Sequence, residues 1–207
     1  MLRFLALPFK AALVAGILLS LAAHDVWAQS ASILDTTEVR RWREDLAFLR
    51  AEMPARHANL FHAMTHAQFD SALQSIDQDL PHLARHQVIV ELQRLAALVG
   101  DGHTNVSPWR DTSAVFQQLP VALYWFDDGI FVRATTKDQA SLLGARVVRI
   151  GGIPVEGALA RVRPLVSHDN EMGVRAWTPV LLTMPEVLHA LGLSEPRHRA
   201  KPDQVPL

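Results

Sequence analysis

The residues best suited by type and spacing to do chemistry are Gly100-Asp101-Gly102-His103-Thr104. An imidazole changes protonation near neutral pH, and a glycine-rich turn just beyond a helix would leave it open to accept a proton and return it. A turn histidine can equally serve structurally by capping helix carbonyls, and the pentapeptide alone does not separate the two roles. His62 with His66, and His82 with His86, are four apart, a spacing that can set two imidazoles on one helix face for zinc. No glutamate stands in the expected place between either pair, no third ligand is apparent, and proline or threonine interrupts the helix near both. They read as solvated helix-end histidines, and neither a metal nor any other cofactor is expected. The chain has no cysteine, so a protein nucleophile would have to be a hydroxyl. Ser107, Ser113, Ser141 and Ser167 are nearest in sequence to the histidine turn or the strands, but none lies in a glycine-flanked strand-to-helix turn that would expose it. Trp109, Trp125 and Trp177 could line a groove; core or half-buried packing accounts for them, and they are assigned no role.

The elements that would hold His103 begin with three helical patterns between Asp35 and Val99. Trp42, Leu46, Leu49 and Met53 mark the first; Phe69, Leu73, Ile76 and Leu80 the second; Val88, Leu92, Leu95 and Val99 the third. Spacings of four, three and four put each set on one helix face, as core packing requires. Asp35 with Glu38 and Thr65 with Gln68 have capping-box spacing and predict the first two starts. Pro54 and Pro81 predict their ends. The third helix has no capping residue, and Gly100 supplies its stop.

Beyond Gly102 the pattern changes to strands. Val121–Phe126 and Ile130–Ala134 are rich in β-branched and aromatic residues, joined by Asp127-Asp128-Gly129 as a tight hairpin connection. Ala145–Ile150 predicts a third strand, Gly151-Gly152 a turn, and Val155, Leu159, Val162 and Val166 a helix shortened by Pro164. A weak helix over Glu171–Leu182 and a short one over Pro185–Leu191, stopped by Gly192, follow. Ser194–Leu207 is polar, contains proline and lacks periodicity, so it reads as disordered. The fold class expected is α+β, without internal repeats.

Residues 1–28 run from a basic start, Arg3 and Lys10, through an apolar stretch, Ala11–Ala23, to the small-residue ending Val26-Trp27-Ala28. That is the plan of a secretory signal peptide, cleaved after Ala28, and places the mature protein in the periplasm or outside the cell. The alternative is an uncleaved anchor, although the apolar run is well short of the ~20 residues a spanning helix needs. The formal net charge is −1, from 20 basic and 21 acidic residues, so no strong overall field favours nucleic acid or an anionic membrane.

The run LQRLAALVGDGHT (92–104), Leu119-Pro120, WFDDGIFVRA (125–134), LLGARVVRIGGIPV (142–155) and SHDNE (167–171), in that order, resembles the N-terminal half of the tail-specific, or C-terminal-processing, serine peptidases, particularly their tricorn-like branch. HANLFHAMTHAQFD (57–70) resembles the segment that precedes the histidine motif in bacterial members. The resemblance covers residues 40–193. It implies a helical N-terminal domain at 35–104, a PDZ-like β-rich module at 106–166 and a helical linker at 167–193 leading toward a catalytic core, with the disordered tail at 194–207. His103 matches the position of the branch's histidine, which implies the role of general base toward a serine nucleophile.

That nucleophile, its oxyanion donors and the downstream serine and glutamate would lie well beyond Gly192, whereas the sequence ends at Leu207. The expectation is therefore a truncated or frameshifted peptidase, inactive as this chain. The competing function is a non-catalytic peptide-binding module of the cell envelope, taking an extended segment on a sheet edge. Either way the partners expected are peptides or unfolded protein segments, not nucleic acid, with no stable membrane span after signal cleavage.

Overall fold

A computed structural model describes residues 32–108 and 116–194. The predicted signal peptide, Trp109, Ser113 and all of the predicted disordered tail beyond Ser194 lie outside the described residues. Within them the chain is mixed helix and small antiparallel sheet, the α+β class its periodicity predicts.

Three helices come first: α1 (Thr36–Arg56), α2 (His66–Asp79) and α3 (Arg85–Ala97). Both capping boxes form. Asp35 accepts from the Glu38 backbone while Glu38 reaches back, and Thr65 and Gln68 do the same. The expected end of α1 at Pro54 is corrected: the helix continues to Arg56 and closes with the His57 N–H donating to the Met53 carbonyl. Proline deletes one donor in the last turn, but its fixed φ is helical, so two more residues can follow it. Pro81 behaves as expected, ending α2 in a short 3-10 turn, Leu80–His82. The start of α3 has a partner that spacing did not reveal, since the Gln87 side chain accepts from the Ala84 N–H.

The helical residues predicted from spacing make the first core. Leu46, Phe69, Leu73, Ile76, Leu80 and Val88 are all buried in it, with Trp42, Leu49 and Met53 packed at its margin.

After α3, β1 (Val121–Phe126) and β2 (Gly129–Thr135) form an antiparallel hairpin with a bulge at Ala122/Leu123. Gly129 pairs with Phe126, so the connection is Asp127-Asp128 and the glycine belongs to the strand. The single predicted strand 145–150 is corrected to two pieces. β3 (Arg146–Val147) pairs with β2, whereas β4 (Arg149–Ile150) pairs with β5 (Ile153–Pro154) across the Gly151-Gly152 turn. The chain changes partner at Val148, and the inward face changes phase with it, since Val147 and Ile150 are the buried residues of the two pieces. Gly151 has φ +56°, and a Cβ there would run into the Leu193 carbonyl. Glycine is required there both by the turn and by that close approach.

α4 (Val155–Val162) stops in a 3-10 turn, Arg163–Leu165, that holds Pro164. Two helices follow: α5 (Glu171–Leu181), capped by Asn170, and α6 (Pro185–Ala190). Leu181, Leu182, Met184, Val187 and Leu188 from this region pack with Ile130, Val132, Val147 and Val162 into a second core. The segment 167–193 is thus helical and folded onto the sheet.

α3 serves both cores. Val88 and Leu95 face the first, while Val90 enters the second. It packs on α6 and on the Arg163–Leu165 turn. Across the α3–α6 seam, His86 Nε2 lies 2.7 Å from His189 Nδ1. Burial, then the neighbouring imidazole, lowers the His86 pKa to about 4. Among the described residues no helix is long and apolar enough to cross a membrane.

Candidate functional site

His103 stands on the turn that follows α3, with its side chain 92% exposed. Its backbone is fixed from two directions. Asp101 Oδ1 accepts the His103 N–H at 2.8 Å, and Asp101 Oδ2 accepts the Thr104 hydroxyl at 2.8 Å. From the loop between α4 and α5, Asp169 Oδ1 accepts the Gly102 N–H at 2.9 Å. A Cβ on residue 102 would lie 2.7 Å from Asp169 Oδ2, so glycine is what allows this approach. Two of the sequence segments singled out, GDGHT and SHDNE, therefore meet in space although Gly102 and Asp169 are 67 residues apart.

The carboxyl of Asp101 is held well below the usual range, to about 2, first by the His103 backbone N–H and next by the Thr104 hydroxyl. It is ionised throughout the neutral range and lies 3.5 Å from His103 Nδ1. Ligand atoms of Asp101, His103 and Asp169 all lie within 4.8 Å of one another, close enough to hold a metal ion. Chemically the arrangement offers an exposed imidazole with a carboxylate beside one ring nitrogen, a group able to transfer a proton.

A residue that spacing did not single out completes the turn. His57, at the C-cap of α1, accepts the Asn59 N–H on Nδ1, which leaves its hydrogen on Nε2. Nε2–H donates to Thr104 Oγ1 at 2.8 Å, and Thr104 passes its own hydrogen to Asp101. This string connects positions 47 apart in sequence, so no local periodicity could have found it.

The two histidine pairs at zinc-like spacing go to separate partners. His62 Nδ1 faces the Asn59 carbonyl, and His66 stacks on Phe61 and approaches Asp70. His82 lies on the 3-10 turn after α2, while His86 turns inward to His189, so the expectation that it is a solvated helix-end histidine is corrected. Of the serines, Ser141 lies in a 3-10 turn (Lys137–Leu142), and Ser107 and Ser167 lie in loops beside the site. None of these three stands between a strand and a helix as a nucleophile. Trp125 is in β1 under the Arg175 guanidinium, and Trp177 is exposed on α5.

Neither a protein-family model, nor a curated protein, nor a solved structure matches the chain.

Proposed function

We propose that this chain is the histidine-bearing N-terminal part of an exported serine peptidase of the tail-specific type, in its tricorn-like branch. The observation that carries this reading is the display of His103: a nearly fully exposed imidazole on a turn whose backbone is tied down by Asp101 and Asp169. A general base needs that combination of a free ring and a rigid mount. His103 would take the proton of a serine hydroxyl as the serine oxygen attacks a peptide carbonyl, then return it to the departing amine. The serine and the donors for the oxyanion belong to a core outside the described residues. Without them the 207-residue form should not cleave peptides.

Residues 119–166 supply the PDZ-like module of this reading, with the β1–β2 hairpin, the β4–β5 turn and α4 as its parts. Residues 1–28 supply its export signal, which gives Gln29 as the mature N-terminus. Intact mass from the periplasmic fraction checks that assignment, and a mass retaining Met1–Ala28 would refute it.

A second reading, a peptide-binding module without catalysis, is favoured by one feature. β1 is an outer strand of the three-stranded sheet and carries the exposed pair Tyr124 and Phe126, with ring centroids 4.5 Å apart. An extended peptide could add to such an edge. Sequencing the DNA beyond codon 207, then assaying the chain and any longer form on unstructured peptides, separates the two. Cleavage by the longer form supports the peptidase. A genuine stop, with β1 amide shifts on peptide addition, supports the binding module.

A further inference from the structure

Three side chains able to ligate a metal meet at the His103 turn from two distant parts of the chain. Ligand atoms of Asp101, His103 and Asp169 lie within 4.8 Å of one another. Asp101 Oδ1 is 3.5 Å from His103 Nδ1. That is long for an N–H···O hydrogen bond, which spans about 2.7–3.2 Å. It is close to the edge, roughly 3.4 Å, of a tetrahedron whose metal–ligand bonds are about 2.1 Å, the length zinc makes to imidazole nitrogen and carboxylate oxygen. The His103 side chain is 92% exposed, so its ring can turn to close the remaining distance to Asp169.

The carboxylates keep lone pairs for such an ion while protein donors hold them in place, the arrangement that orients metal ligands generally. Asp101 Oδ1 accepts the His103 N–H and has a second lone pair. Asp101 Oδ2 accepts the Thr104 hydroxyl and lies 3.4 Å from His57 Nε2. Asp169 Oδ1 accepts the Gly102 N–H, whereas Asp169 Oδ2 accepts from none of the described residues. Among those residues no lysine or arginine pairs with either carboxylate, so the protein brings two acids to one imidazole without a fixed cation to balance them. A donor set of one nitrogen and two oxygens suits zinc. Magnesium and calcium take sets built from oxygen alone, with six or more ligands.

We propose that Asp101, His103 and Asp169 bind a zinc ion on the open surface of this turn, with water in the fourth position. The site stands on these three side chains, and only its consequence rests on the peptidase reading. Zinc on Nδ1 leaves the ring hydrogen on Nε2, so neither nitrogen can then accept a proton. Metal binding and general-base action at His103 exclude each other.

The test titrates ZnCl2 into the isotopically labelled 207-residue chain. Micromolar zinc should shift the His103 ring and the amides of Gly102, His103 and Asn170. Asp169→Asn keeps an oxygen for the Gly102 N–H but removes a charged ligand, and should weaken binding roughly ten- to a hundredfold. His103→Ala should weaken it at least as much. His66→Ala, at an exposed histidine outside the set, should bind as the parent does. MgCl2 at the same concentration should leave the His103 ring unmoved. No His103 shift below millimolar zinc, an unchanged affinity in Asp169→Asn, or binding lost in His66→Ala would overturn the proposal. Zinc binding with no hydrolysis in any longer form would defeat the peptidase reading alone. A longer form that cleaves peptides, yet neither binds zinc at His103 nor loses turnover to it, would defeat this proposal alone.

Discussion

Asp101 is the residue on which the His103 turn depends. It holds the His103 amide with one oxygen and the Thr104 hydroxyl with the other, and through Thr104 it reaches His57. Because its folded pKa is depressed to about 2, the unfolded chain binds more protons than the folded one as pH falls below the ordinary carboxylate range. Its contribution is therefore fully present above about pH 4 and is lost on acidification through about 2. Asp101→Asn should raise amide exchange at His103 and Thr104 at neutral pH, while the parent keeps protection there until the pH approaches 2. Hydrogen exchange read residue by residue checks this, and equal protection in the variant would contradict it. The turn and its histidine were legible in the sequence because glycines flank them. The clamp from Asp169 and the string from His57 were not, since both arise only when distant segments pack together.

At the scale of elements, the α3–α6 seam carries the most distinctive chemistry. Two imidazoles 2.7 Å apart share one hydrogen bond, so one of them must present a lone pair. With the His86 pKa lowered to about 4, the folded state resists a proton that the unfolded chain accepts near 6.5. The stability tied to a buried, neutral His86 is complete above pH 6.5 and falls away as pH drops to about 4, by up to a few kcal/mol. Urea midpoints of the parent should fall more steeply across that window than those of His86→Leu, and parallel slopes would rule the pair out as the cause. Local spacing pairs His86 with His82, four residues away, whereas its partner in the fold lies 103 residues away. Helices α1 to α3, by contrast, follow from apolar spacing, and the starts of α1 and α2 from their capping boxes, signals contained within one element. The short strands β3 to β5 escaped in part because exchanging partners at Val148 is a property of pairing between segments.

For the whole molecule, two cores divided by a shared helix predict one cooperative unit. Val88 and Val90 are both fully buried, on different sides of α3. Phe69→Ala in the first core should cost about 3–5 kcal/mol and Met184→Ala in the second about 2–5 kcal/mol. Each should shift a single unfolding transition seen alike by Trp42 and Trp125 fluorescence in single-tryptophan backgrounds. Separate midpoints for the two probes would show that α3 does not couple the cores.

The role proposed for His103 is that of a general base toward a serine nucleophile. Its most direct measurement is kcat/KM on an unstructured peptide for a longer form encoded beyond codon 207, compared with the same form carrying His103→Ala. Turnover by the longer form, a fall of about 10²–10⁴-fold in the variant, and none above background in the 207-residue chain are expected. Equal rates with and without His103, or robust cleavage by the 207-residue chain, would contradict it.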